Sequence, residues 1–200
     1  MASTSPSNVL EAYYKQFQRD FSIFLNCRAE ELVEGGRMVL TCLGRKSDDP
    51  SSKEGCYILE LLAMVLNEMV LQGIIKDDKL NTFNIPWYTP SPSEVKLQVV
   101  TEGSFSIDRL EVFEVNWNTL NNEKTFDSEV EISDGYIVAQ GMRVAQGIRA
   151  IFESLLVSHF GEAIIEEIFN RFGKILIDRM SKEINKFFFV TISLTRKHNQ

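Results

Sequence analysis

Little in this chain is suited to nucleophilic or metal chemistry. Histidine occurs twice and cysteine three times in 200 residues. His198 lies in a charged tail, and His159 lies where one long helical pattern gives way to the next, so no nucleophile and base pair can be assembled around them. A capping or half-buried structural role is the reading for His159. Cys27, Cys42 and Cys56 are odd in number, stand in apolar contexts and lack paired metal-ligand spacing, which predicts reduced core thiols and a cytoplasmic protein. A run of about 18 apolar residues is missing, and Met1 to Asn8 is small and polar, so neither a membrane span nor a secretory leader is indicated. Excess positive charge is also missing. The net charge is −7 with no basic stripe, which argues against nucleic acid and anionic membranes and for a small molecule or protein as partner. The glycines at Gly35, Gly36, Gly141 and Gly147 do not fall in the strand, GxGxxG, helix order of a dinucleotide site.

What is present is the apolar fraction of an ordinary globular domain and one unusual stretch, Asn81 to Glu94. Its prolines stiffen the backbone, while Phe83, Ile85, Trp87 and Tyr88 load it with large apolar side chains. Such a segment lines either a core or a cavity. It ends in a helix start: Ser91 caps, Pro92 takes the first helical position, and Glu94 completes a capping box. Asn81 and Asn84 are turn formers, and with nearby carbonyls they make at best a poor site for a hard cation.

Before this stretch, Ser5-Pro6 opens a helix with apolar residues at helical spacing, closed by Gly35-Gly36. Met38 to Leu43 is a short, almost wholly apolar run, as of a strand covered on both faces. Arg45 to Lys53 reads as an exposed loop, and Glu54 to Gly73 as a helix apolar on most of its circumference. After it, Phe105 to Val115 alternates with a slip near Asp108-Arg109, as in an edge strand with a bulge. Asn116 to Gly135 is polar and reads as a connection. The tandem VAQGMR and VAQGIR, Val138 to Arg149, is not expected in a settled helix, because six residues turn a helix by about 600° and point the copies different ways. Ile164, Ile165, Ile168, Phe169, Phe172, Leu176 and Met180 mark a helical stripe, and Phe187 to Leu194 the clearest strand. The carboxylate pairs Asp77-Asp78 and Glu166-Glu167 read as solvated surface without chemistry.

The segments Ala12–Asp20 (AYYKQFQRD), Gly36–Thr41 (GRMVLT), Phe83–Pro86 (FNIP), Tyr88–Val95 (YTPSPSEV), Glu102–Phe105 (EGSF) and His159–Ile165 (HFGEAII) closely resemble the plant SABATH family of S-adenosylmethionine-dependent carboxyl methyltransferases, its salicylate and benzoate branch nearest. The resemblance covers almost the whole chain and only the family's C-terminal part. It implies an α/β fold: the last three strands of a class I, Rossmann-like methyltransferase sheet with a helical cap, residues 1–200 forming one partial domain whose N-terminal cofactor-binding half is absent. It implies Leu43, Ile58, Leu59, Tyr88, Ile148, Ile151 and Phe187 as walls of a pocket for an aromatic acid, with no catalytic residue among them. Salicylate-type members have tryptophan where Leu59 stands and methionine where Ile148 stands. A family Mg²⁺ site falls on Asn81, the carbonyl of Phe83, and Asn84, although relatives carry aspartate at the first of these and asparagine in place of Ser3.

The implied reaction is methyl transfer from S-adenosylmethionine to the carboxylate of a small plant acid of the salicylate, benzoate or jasmonate type. A carboxylate is ionised near pH 7 and needs no general base, which agrees with the missing triad. The isolated chain is expected to transfer no methyl groups. The alternative is a non-catalytic carboxylate-binding or dimer-forming remnant, and the resemblance allows a homodimer.

Overall fold

The computed structural model describes residues 5–117 and 134–198. Most of the stretch read as a polar connection, Asn116 to Gly135, lies outside the described residues. In chain order the elements are α1 (Ser7–Glu31), β1 (Arg37–Gly44), α2 (Lys53–Leu71), α3 (Asp77–Asn81), α4 (Pro92–Glu102), β2 (Phe105–Asn116), α5 (Asp134–Phe160), a short 3-10 segment (Glu162–Ile164), α6 (Ile165–Lys182) and β3 (Lys186–Arg196). They form two compact units, one of residues 1–57, 86–114 and 187–200 and the other of residues 58–85 and 115–186.

The first unit is a small sheet under two helices. Its strands lie in the order β1, β3, β2, with β1 antiparallel to β3 and Arg37 opposite Thr195. The aromatic and β-branched strand β3 takes the centre, where a pleated, half-buried surface suits such residues. Its alternate side chains Val190, Ile192 and Leu194 are buried with Leu25 and Ala29 of α1, Val95 and Val99 of α4, and Phe105 of β2. Burying one such aliphatic or aromatic side chain stabilises by about 1.5–3 kcal/mol, so this face anchors the unit. β2 lies at an edge, and Asp108 and Arg109 are exposed in succession, the slip in phase expected there.

Three expectations are corrected here. β1 is not covered on both faces: Met38 and Leu40 pack against the helices, while the pleat turns Val39 away, 66% exposed. α1 begins at Ser7 with Pro6 at the cap position and no side-chain capping bond, and it ends at Glu31, before Gly35-Gly36. Of the three thiols only Cys56 is buried, because Cys27 and Cys42 fall on exposed positions of α1 and β1.

The second unit is helical. α2 buries Leu61, Leu62, Val65, Leu66 and Met69, with Met64 left 45% exposed, and α6 buries Ile165, Ile168, Phe169, Phe172, Leu176 and Met180. The tandem repeat lies inside α5, contrary to expectation. The reason is that one stripe runs through both copies at different positions of each: Gln140 and Gly141 from the first, Val144, Ala145 and Ile148 from the second. Those positions recur three or four residues apart, so the helix keeps one buried face although the copies point different ways. Equivalent residues accordingly have opposite fates. Val138 is 45% exposed and Val144 is 4% exposed.

The two repeat glycines give the sharpest contrast. A Cβ on Gly141 would lie 2.6 Å from Cγ1 of Ile177 on α6 and 3.3 Å from that residue's backbone, whereas a Cβ on Gly147 would meet nothing within 4 Å. Gly141→Ala should therefore destabilise by about 1–3 kcal/mol through overpacking. Gly147→Ala should stabilise by about 0.5–1 kcal/mol, the cost of glycine in a helix interior. Urea titrations of both variants read the two signs, and equal effects would contradict the assignment of faces.

Candidate functional site

The helix start at Ser91 forms as its residues demand. Ser91 Oγ accepts from the Glu94 N–H at 3.3 Å, Glu94 Oε2 accepts from the Ser91 N–H at 2.8 Å, and Pro92 occupies the first turn. The second carboxylate oxygen of Glu94 is used outside the helix. Oε1 accepts from the hydroxyl of Tyr88 at 2.7 Å and from Nη2 of Arg45 at 2.7 Å. Arg45 is the first residue after β1 and is 0% exposed. Its guanidinium also donates to the carbonyl of Thr89, and to that of Asp48 at 3.2 Å, and it stands 5.4 Å from the centre of the Tyr88 ring. Ser91 Oγ donates to Asp48 Oδ1 at 2.9 Å, closing the network.

Close backbone approach makes this possible. The Arg45 N–H donates to the Pro90 carbonyl at 3.2 Å. A Cβ on Gly44 would lie 2.6 Å from that carbonyl, and one on Gly55 would lie 2.5 Å from the Thr89 hydroxyl, so the loop rests on two glycines. Burial works against the charge of Arg45, yet the hydrogen bond and charge of Glu94 outweigh it and hold its proton more firmly than usual. Burial, then the hydrogen bond to the Glu94 carboxylate, pushes the Tyr88 phenol well above its ordinary range. Arg45 opens a run whose polarity suggests an exposed loop; the structure overturns that, because Glu94 neutralises its charge and the Thr89 and Asp48 carbonyls accept from its terminal nitrogens, with Nε alone left buried and unpartnered.

Among the anticipated pocket residues, Leu43, Tyr88 and Phe187 belong to the first unit. They gather at the C-terminal end of β1: Leu43 is paired in register with Phe189, whose ring centre is 6.5 Å from that of Phe187, and Tyr88 adjoins Arg45. Ile58, Leu59, Ile148 and Ile151 belong to the second unit. Leu59 and Ile148 are 6% and 5% exposed, whereas Ile151 is 51% exposed. A groove of about 370 Å³ in the first unit is lined by Tyr13, Phe17, Phe21 and Phe24 of α1 with Trp87 and Tyr88. Tyr88 stacks on Phe17 there at 5.2 Å between ring centres.

In the second unit Asn81 and Asn84 are exposed, and the Asn81 amide donates to Asp77 at 2.7 Å. His159 is half-buried beside Phe83 and Phe160, its Nε2 2.7 Å from the Lys79 carbonyl, while Lys79 Nζ donates to the His159 carbonyl at 3.0 Å. That reciprocal clasp is the structural role read for His159, although its partner was not foreseen. Glu166 and Glu167 are exposed, as read, but are tied to Arg149 and Arg171.

Two measurements follow from the helix start and the phenol. Ser91→Ala should cost about 1 kcal/mol, the usual worth of a cap, on urea titration. The unfolded chain's tyrosine loses its proton near pH 10. Because folding raises the Tyr88 pKa, its contribution is full below about pH 10 and is lost as the pH rises further. Stability should fall more steeply above about pH 10 than in Tyr88→Phe; parallel profiles would contradict this.

Comparison with known proteins places this architecture. A family model described as SAM dependent carboxyl methyltransferase matches residues 1–197. A salicylate carboxymethyltransferase of Clarkia breweri is 51% identical over 197 residues, covering 98% of this chain and 53% of that protein. An S-adenosyl-L-methionine:benzoic acid/salicylic acid carboxyl methyltransferase 2 of Petunia hybrida is 53% identical over 196 residues, covering 98% and 51%. Among solved structures, a loganic acid methyltransferase with SAH superposes with a TM-score of 0.76 at 32% identity, over 96% of this chain and 51% of that one. The chain thus spans about half the length of the curated relatives it matches. With nearly every residue inside the family match, the chain belongs to the S-adenosylmethionine-dependent carboxyl methyltransferases.

Proposed function

We propose that this chain is part of an enzyme that methylates the carboxylate of a small aromatic or related plant acid, of the salicylate, benzoate or jasmonate type. The observation that carries this reading is family membership across residues 1–197. The apolar character of Leu43, Ile58, Leu59, Ile148, Ile151 and Phe187 supports it, since such side chains exclude water and leave the acid's position to shape. Tyr88 adds a polar hydroxyl, already held by Glu94.

S-adenosylmethionine, when bound, supplies the electrophilic methyl group on a sulfonium. The described residues offer no glycine-rich turn from strand to helix that fits such a cofactor, so no step is assigned to a cofactor site on this chain. The chain's own contribution is orientation and dryness. An ionised carboxylate needs no base, and a pocket that aims it along the line of displacement while excluding water provides the acceleration. Asn81, the Phe83 carbonyl and Asn84 do not fit Mg²⁺: they bring only neutral oxygens and no carboxylate of their own.

Leu59 and Ile148 set the choice of acid in this reading. Both are buried and of moderate size. The test joins the chain behind the first half of the Clarkia breweri relative and follows radiolabelled methyl transfer to salicylate, benzoate and jasmonate. The chimera is expected to esterify at least one acid, and the 200-residue chain alone none. Leu59→Trp should change the ratio of kcat/KM between salicylate and jasmonate by about 10-fold, the scale of a filled or emptied apolar subsite. A folded chimera that methylates no acid would overturn the reading.

A further inference from the structure

We infer that Arg45 is a positioning residue: by pairing with Glu94 it fixes the ring and hydroxyl of Tyr88 and cancels the carboxylate charge beside them, so that an anionic acid meets a neutral wall. The inference rests on the reading of Tyr88 as a wall of the acid pocket.

An arginine next to the pocket of an enzyme that acts on carboxylates invites a direct role, as the anchor of the substrate's own carboxylate. The contacts exclude it. Arg45 is 0% exposed, and its terminal nitrogens are committed to Glu94 Oε1, the Thr89 carbonyl and the Asp48 carbonyl. A substrate carboxylate would have to displace Glu94, leaving that carboxylate half-buried and unpaired at a cost of several kcal/mol. Binding a guanidinium would also draw charge from the oxygen that must attack. Arg45 therefore acts through its neighbours.

Glu94 cannot do the same work alone. Its Oε2 is held by the Ser91 N–H and its Oε1 by the Tyr88 hydroxyl, so without Arg45 a full negative charge would stand 2.7 Å from that hydroxyl. Such a charge in a half-buried setting repels an anionic acid strongly. Arg45 also fixes the ring through its face, 5.4 Å from the centroid, and holds the flanking backbone through the Thr89 carbonyl. Arginine's fork makes these contacts together, which a lysine cannot.

The test has two arms. In the active chimera, Arg45→Met should raise KM for the acid about 10-fold while kcat changes less than about 3-fold. Arg45→Lys, which restores the charge but not the fork, should recover only part of that loss. Tyr88→Phe, which keeps the ring and removes only the bond to Glu94, should raise KM less than Arg45→Met. Val99→Ala, a core truncation on the same α4, should lower stability and leave KM unchanged, which separates positioning from general loosening. The second arm needs no activity: in the 200-residue chain labelled with ¹³C-tyrosine, the Tyr88 ring should flip slowly, and quickly in Arg45→Lys and Arg45→Met. Unchanged KM in an active Arg45→Met and Tyr88→Phe chimera overturns the inference and leaves the methyltransferase reading intact. An inactive chimera in which the ring is nonetheless freed by loss of Arg45 overturns that reading and keeps the positioning role. A ring equally mobile in all three chains overturns the inference wherever Arg45→Met does not fold in the chimera.

Discussion

One carboxylate ties together the part of the first unit where the end of β1 meets the start of α4. Glu94 closes the helix start of α4 through the Ser91 N–H, accepts the Tyr88 hydroxyl, and neutralises Arg45 at the end of β1. Two pieces of chain, Arg45 and the stretch from Tyr88 to Glu94 that starts 43 residues later, thus converge on two oxygen atoms. Each group is costly to bury alone: an unpaired arginine, a phenol without an acceptor, an uncapped helix end. Paired, they permit a polar cluster beside apolar side chains of the first unit. Breaking a buried pair by removing one partner costs about 3–5 kcal/mol, because it leaves the other charge buried and uncompensated.

This constraint accounts for features that seem unrelated. Gly44 and Gly55 are needed because the loop carrying Thr89 and Pro90 lies against β1 and α2's first turn too closely for a Cβ. The stretch Asn81 to Glu94 is also divided: residues through Ile85 belong to the helical unit, and those from Pro86 to the sheet unit. The aromatic surface of α1 then finds its partner in Tyr88, through Phe17. In the helical unit the corresponding constraint is steric, the approach of α5 to α6 at Gly141 and Ile177.

Much of the fold was legible because its causes are local. The Ser91 to Glu94 box, the apolar stripe of α6 and the central strand β3 each declare themselves within a dozen residues. What was not legible depends on partners far along the chain. Arg45 opens a polar run and reads as solvent-exposed, and only Glu94, 49 residues on, makes its burial tolerable. The duplicated hexapeptide hid the continuity of α5, since its buried stripe crosses the copies out of phase. The seven residues proposed as pocket walls came from resemblance, not from pattern: isolated leucines and isoleucines carry no signal that separates a pocket wall from a core. Tyr88 is the exception, as a tyrosine on a stiff loop beside a capping glutamate invites a search for its hydroxyl's partner.

The central claim is that Arg45 and Tyr88 are coupled through Glu94. A double-mutant cycle on the 200-residue chain, with Arg45→Met, Tyr88→Phe and the pair compared by urea denaturation, measures that coupling without requiring catalysis. The account predicts an interaction energy of about 0.5–3 kcal/mol, the range for residues in one hydrogen-bonded network. Strict additivity of the two single changes would contradict it.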